Sequence, residues 1–525
     1  MSTQGPNADD IEFEYGSKVK LILVAAILFT LTTSIITSQK GLIDPFEAEV
    51  LITTLKTLEN TINPVKNAGS LLWPGSLTGP LTYYLQALNL MIFSFILRIP
   101  MDAASRIPSI ISMPLIIIAT FNALKNTFGR VHASLATSLM IVLPITVHAS
   151  HSTFPAATTL LAMMCAINFA GAYARTGDWI HALLSGIFTG ISLIIDLSSV
   201  IVLVPATYIL TKGFTKVRRV DDLSAFMIPI ILCAIPLAAY TMMNINNIIS
   251  MATVDIRGVE SFNGSQITYN RHYFIETLLP GLGAPVLLAA IGGLLASFAR
   301  PGTMSNMNIL YTLLAICELS ALSMLGLMRP YHIIIIVIPA IMLIAHLIKT
   351  ISQSKPNQSL IITATLLIAT LYISVTNQVT DEKNMPLTGE TQYGVHYIVN
   401  GESVHKRASR HLLAKSSPQD EMIASTTAYY YMLMHRPVKR FDEQQEQKAR
   451  FIALNGIDYH RFKSRKNNKN LKAIYRMAQK DGILSIIYEA PGHYKQEESG
   501  ETEELDKTLN KAVYNYLESK ATNTR

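Results

Sequence analysis

Two carboxylates, Asp44 and Glu47, open the hydrophilic stretch after the first apolar run, in GLIDPFEAEV (41–50). A carboxylate just beyond a membrane span can serve as a general base on a substrate presented at the interface, and at a spacing of three the pair shares one helix face. The same residues also spell a helix start, with Asp44 as N-cap, Pro45 as first helical residue and Glu47 at the third. Arg98 and Arg106 bracket the start of a later span; arginines at that depth either clamp a lipid phosphate through two parallel hydrogen bonds or snorkel as anchors. His148 and His151, in His-Ala-Ser-His, offer two of the ligands a metal needs, or donors to water and headgroups. Asp196 lies between two short apolar runs, as a surface turn or as a group facing a cavity, and Glu318 stands mid-span beside Ser320 and Ser323. The loop 246–283 adds Asp255, Arg257, Arg271, His272, Tyr273 and Glu276, which could cover a site, and a glycosylation sequon at Asn263.

The elements that must position these groups follow from composition. Half of the 525 residues are hydrophobic and 15% are charged, against about 25% charged in a soluble protein, which excludes a single water-soluble domain. The deficit is uneven: residues 1–378 hold long apolar runs, and 379–525 are rich in Lys, Glu, Gln and Asn. A helix needs about 20 apolar residues to cross a ~30 Å hydrocarbon core. Runs that meet this lie near 19–37, 107–124, 133–147, 155–174, 179–195, 197–212, 225–245, 284–299, 308–328, 331–348 and 359–376, about eleven spans. The first has no small-residue cleavage site and is expected to be uncleaved, behind a cytoplasmic tail 1–18.

A twelfth run, 81–97, could cross the membrane or lie in the interface. If it does not cross, Lys125, Arg130, Arg175, Lys212, Lys216, Arg218, Arg219, Arg300, Lys349 and Lys355 all fall on the cytoplasmic side, as the excess of basic residues in cytoplasmic loops requires. It is therefore expected as an outer-face interfacial helix within a first external loop 38–106, and the tail from 377 is expected outside. The net charge of +7 is spread over loops and tail without a cluster, which speaks for loop orientation and against nucleic acid. The three cysteines, Cys165, Cys233 and Cys317, sit in apolar runs and read as core fillers. The tail alternates helix-like stretches (403–414, 428–435, 444–454, 468–480) with strand-like ones (421–426, 483–490), a small α/β domain by pattern, and closes on a charged helical stretch, 501–521.

Taken in order, the acidic motif opening a long external loop, GPLTYYLQALNLMIF, Arg106-Ile-Pro-Ser109, Phe128-Gly129-Arg130, RPYHIIIIVIPAIMLIA (329–345) and the tail segment PQDEMIASTTAYYYMLMHRPV (418–438) resemble the membrane glycosyltransferases of the GT-C fold. Within them the sequence is similar to the branch that holds protein O-mannosyltransferases and the lipid A aminoarabinose transferase. The resemblance implies an α-helical polytopic membrane module over 19–378 and an extracytoplasmic α/β domain over 379–525. It implies transfer of a sugar from a polyprenyl-phosphate donor to a protein or glycolipid acceptor outside the cytoplasm, in a bacterial inner membrane. A first-loop acid, Asp44 or Glu47, would activate the acceptor; Arg98, Arg106, Arg329 and Tyr331 would bind the donor phosphate; His148, His151, Asp196 and Arg271 would line the site; and a divalent metal ion is a candidate cofactor, with membrane lipids as surroundings. Pro45 and Phe46 separate acids that the family has adjacent, and two further departures stand out: no acid follows His151 where the family usually has an Asp, and a Lys the family often has after a Gly-rich span is replaced by the region of Asp196. A non-catalytic subunit of a membrane assembly is the alternative, and a transporter, for which only Glu318 speaks, a further one.

Overall fold

In the computed structural model, the described residues are most of 21–35, 45–62, 79–217, 221–239, 278–300, 303–324 and 330–376, and in the tail 404–424 in large part, 438–440, 450–455, 472–478 and 484–489. Asp44, Arg271, Arg329, the sequon loop, the stretch 428–435 and the closing stretch 501–521 lie outside them. The chain divides into two compact units. One comprises Met1–Ser38 and Thr53–Val375 with Tyr393–Val395, and the other Gln39–Ile52, Thr376–Gln392 and His396–Arg525.

Each of the eleven apolar runs contains a helix among the described residues. In chain order these are α1 (Leu23–Thr32), then α2 (Pro45–Ile62) and α3 (Pro80–Asn89) of the first loop, α4 (Ile107–Phe128), α5 (Arg130–Val142), α6 (Pro144–Ser150), α7 (Ala156–Thr176) and α8 (Trp179–Ile195). A 3-10 turn, Leu197–Val202, leads into α9 (Leu203–Val217), followed by α10 (221–236), α11 (Ala284–Ala299), α12 (Thr303–Met324), α13 (Ile334–Ser354) and α14 (Pro356–Thr376). Four stretches, Met101–Lys125, Ala156–Thr176, Ser305–Leu322 and Ile334–Gln353, are long and apolar enough to cross a membrane. The run 133–147 is not one straight rod: α5 and α6 meet at 70°, because Pro144 forces Leu143 out of helical geometry, to ψ 136°.

The side-chain pattern is that of an integral membrane protein. On α11, Leu288, Ile291, Leu295 and Phe298 face outward, whereas Ala289, Ala290, Gly293 and Ser297 are buried. Large apolar groups outside and small ones inside let helices approach closely in lipid. A Cβ on Gly293 would run into the Leu343 carbonyl of α13.

Beyond α3 the first-loop helix widens into a π turn, Leu90–Ile96, with Tyr84, Leu85, Leu88, Met91 and Ile92 exposed and Thr82, Gln86 and Asn89 buried. It stops at Arg98, the one non-glycine at positive φ (58°) among the described residues. A left-handed L-residue costs roughly 1–2 kcal/mol. Arg98→Gly is therefore expected to leave stability unchanged or raise it by about 1 kcal/mol, and the β-branched Arg98→Val to lower it by about 1–2 kcal/mol, read as melting temperature in detergent.

The second unit carries a five-stranded sheet in the order β2-β1-β3-β5-β4: β1 (Met422–Ala424), β2 (Lys439–Arg440), β3 (Phe451–Asn455), β4 (Lys472–Ala478) and β5 (Leu484–Glu489). β1 runs parallel to β2 and β3, and β5 antiparallel to β3 and β4. The helix α15 (Val404–Lys415) buries Ala408 and Leu412 with Met422, Ala424, Phe451 and Ala453. Two helix-like stretches are corrected here, since 468–480 supplies strand β4 and the end of 444–454 begins β3. Their short apolar patterns fit either period, and pairing on both edges of β5 overrides the local preference.

Candidate functional site

Buried polar groups of the first unit gather at two junctions joined by α3: one where the turn before α4 meets the end of α6, the other at the end of α8. Arg106 is the residue from which α4 springs, with Pro108 in its first turn, and it is 0% exposed. The 70° bend between α5 and α6 carries His148 and His151 inward, and both rings are buried. They meet edge to face, with centroids 5.6 Å apart and planes at 78°.

Burial holds the His151 imidazole well below its usual pKa, and the nearby charges of His148 and Arg106 lower it further. His151 is thus neutral at pH 7, presenting one N–H donor and one acceptor beside a guanidinium. In such a low-dielectric setting the Arg106 guanidinium attracts an anion far more strongly than it would in water, and it matches a phosphate through two parallel N–H donors.

The cluster is held by side chains that spacing arguments passed over. From α3, Gln86 Nε2 donates to the carbonyls of Ser105 (2.9 Å) and Thr153 (3.2 Å), and Asn89 Nδ2 donates to the Ala104 carbonyl at 2.6 Å. Ser105 and Thr153 share a hydroxyl contact of 3.0 Å, and Ser109 Oγ donates to the Ser152 carbonyl at 2.7 Å. Ser34, after α1, donates to Ser150 Oγ at 2.7 Å. The sequence did carry a signal for this clamp: Thr82, Gln86 and Asn89, at spacings of four and three, put a polar stripe on an otherwise apolar helix. At its other end α3 hooks onto the end of α8. The Gly79 N–H and the Thr82 hydroxyl both donate to the Ile195 carbonyl at 2.8 Å, and a Cβ at residue 79 would collide with the Ile194 carbonyl.

Asp196, next along, is 2% exposed and hence no surface turn. Its Oδ1 accepts from the backbone N–H (3.0 Å) and hydroxyl (2.7 Å) of Ser198, capping the 3-10 turn, and burial pushes its carboxyl up to about 6. Its charge reaches Glu318 of α12.

Of the other residues singled out in the sequence, Arg98 is exposed at the end of the π turn, outside the buried cluster. Tyr331 lies in the 3-10 turn Pro330–Ile333, which packs on α6. Glu47 falls in the first turn of α2 and is 2% exposed; it belongs to the second unit, and the expected cap, Asp44, lies outside the described residues. Among the described residues no three His, Cys, Asp or Glu side chains converge. Among the described residues the histidine pair thus has no third ligand of these types.

No protein-family model matches the sequence, and no curated protein does. Solved structures do. ArnT from Cupriavidus metallidurans, in a crystal structure bound to undecaprenyl phosphate, aligns over 92% of this chain and 99% of its own at 11% identity and a TM-score of 0.55. The apo state of that protein gives 12% identity, 90% and 98% coverage and a TM-score of 0.56. The Archaeoglobus fulgidus oligosaccharyltransferase, crystallised with Zn and sulfate, gives 11%, 88% and 72%, and 0.50. At such identities the likeness is one of fold, and the fold is that of the GT-C membrane glycosyltransferases.

Proposed function

We propose that this chain uses its GT-C fold to transfer a sugar from a polyprenyl-phosphate donor to a protein or glycolipid acceptor on the extracytoplasmic face of a bacterial inner membrane. The observation that carries the reading is the buried Arg106, His148 and His151 junction at the head of α4, in a fold shared with a protein solved with undecaprenyl phosphate.

In the proposed reaction an acceptor oxygen attacks the anomeric carbon. The bond from that carbon to the phosphate oxygen breaks, and the polyprenyl phosphate departs with the electron pair. Arg106 balances the charge that grows on the phosphate, an interaction stronger in the transition state than in the bound donor. His151, neutral, donates a hydrogen bond without needing to lose a charge. A first-loop carboxylate, Asp44 or Glu47, takes the acceptor proton, and a single displacement inverts the anomeric centre. The topology that goes with this reading has about eleven crossings, residues 81–97 in the outer interface and the domain from 379 outside; Arg329, Tyr331 and Arg271 remain candidates for the donor and acceptor sides.

One observation favours a second reading, a donor-binding subunit without catalysis. The segment after His151 is Ser152-Thr153, buried and held by Ser109 and Gln86, where the resembling family has an acid. The two readings part in one experiment. Purified protein in lipid nanodiscs, given hexose-bearing polyprenyl phosphate and membrane extract as acceptor source, is expected to release free polyprenyl phosphate over many turnovers. Tight binding with no release would leave the subunit reading, and failure to bind polyprenyl phosphate at all would overturn both.

A further inference from the structure

The displacement leaves two carboxylates unused, buried Asp196 and half-buried Glu318, and they lie at one junction. Asp196 heads the 3-10 turn Leu197–Val202, α12 packs on that turn, and the charges of Asp196 and Glu318 interact. Glu318 is seven residues from Tyr311 and ten from Asn308, close to two and three helical turns, so the three occupy one stripe of α12. The opposite face, with Leu310 and Leu313, is exposed.

Along that stripe the polar groups are left over. Tyr311 and Asn308 are each 0% exposed, as is Ser199 on the turn. Among the described residues the Tyr311 hydroxyl, both ends of the Asn308 amide, the Ser199 hydroxyl and Glu318 Oε2 have no hydrogen-bond partner. Buried polar atoms are nearly always satisfied in folded proteins, so several orphans on one face call for an occupant.

The mixture of groups selects the chemistry of that occupant. The Asp196 carboxylate, ionised above about pH 6, repels an anion. A bare cation would use the carboxylates and leave the Asn308 amide N–H groups and the Tyr311 O–H aimed at nothing they can bind. A hydroxyl-rich ligand answers all of them, because each of its hydroxyls both donates and accepts.

The position fits as well. One helix, α3, joins this junction to the arginine cluster: Thr82 bonds the Ile195 carbonyl at one end and Asn89 the Ala104 carbonyl at the other. Seven residues of helix span roughly 10 Å, the scale of a sugar phosphate.

We propose that Asp196, Ser199, Asn308, Tyr311 and Glu318 form a polyol subsite that takes the sugar headgroup of a substrate, an inference that rests on the transfer reading and extends it to sugar recognition. The headgroup belongs either to the donor or to the acceptor, and the experiment separates the two. In full-length protein in nanodiscs, Asn308→Leu and Tyr311→Phe are measured against sugar-free polyprenyl phosphate, against a panel of polyprenyl phosphates carrying single hexoses, and in the release assay with acceptor varied.

Both variants should bind the sugar-free probe within twofold of wild type and melt no lower, since each removes orphaned polar atoms. If the headgroup is the donor's, the affinity gained from the hexose falls tenfold or more. If it is the acceptor's, that gain persists and the acceptor concentration for half-maximal release rises tenfold or more. Variants that melt lower and shift neither quantity would overturn the subsite, because the side chains would then be internal structural groups. Should wild-type protein fail to bind sugar-free polyprenyl phosphate, the transfer reading falls by itself. The subsite is then decided by thermal stabilisation with methyl mannoside or myo-inositol: stabilisation that the variants lose supports it, and none in wild type overturns it.

Discussion

Arg106→Lys is expected to weaken binding of sugar-free polyprenyl phosphate about 10- to 100-fold, equivalent to about 1.4–2.8 kcal/mol, while the protein still folds. Lysine keeps the charge at this fully buried position but replaces a planar fork of donors by a compact ammonium. A clamp that reads two phosphate oxygens at once loses one of its two parallel bonds, and charge-assisted bonds of this kind carry roughly 1.5–3 kcal/mol each. A snorkelling anchor would accept lysine at little cost, so unchanged affinity with unchanged melting temperature would remove Arg106 from the phosphate site. Arg98→Gly serves as the control. It changes an exposed arginine at the end of the same loop and is expected to leave this affinity within twofold.

The second large effect is expected at the first loop. General bases contribute about 10²- to 10⁴-fold, and Asp44→Asn or Glu47→Gln should cost turnover in that range, whichever residue is the base, with donor affinity nearly unchanged. Stability separates chemistry from capping at Asp44, because asparagine caps a helix about as well as aspartate does. A melting temperature kept within a degree or two, together with release of polyprenyl phosphate lost, identifies a base. Both single variants and the double variant turning over like wild type would sink the carboxylate mechanism. If only Glu47→Gln is inactive, the base is the carboxylate in the first turn of α2 and Asp44 is its cap.

The two effects rest on features of different legibility. That eleven apolar runs become helices could be read in the sequence, because a chain in lipid must satisfy its own backbone hydrogen bonds within each segment, and apolar length is a local sum. The residue types of the site, Arg106, His148, His151 and Asp196, stood out for the same reason, as polar groups in apolar surroundings.

What the sequence could not fix is which of these groups meet. The bend at Leu143, which turns the His-Ala-Ser-His segment inward, the capture of Thr153 by Gln86 across 67 positions, and the hook of Thr82 on Ile195 across 113 are decided between distant segments. The strand β4, helix-like by pattern, was likewise decided by its neighbour β5. Arg98 and Arg106 read alike as arginines at the membrane face, yet one is exposed in left-handed backbone just after the π turn and the other fully buried. A local pattern sets how far a segment can extend and which of its faces is apolar; the partner of a buried polar group is set by which distant donor or acceptor packing brings within hydrogen-bonding reach, and that depends on the tertiary structure.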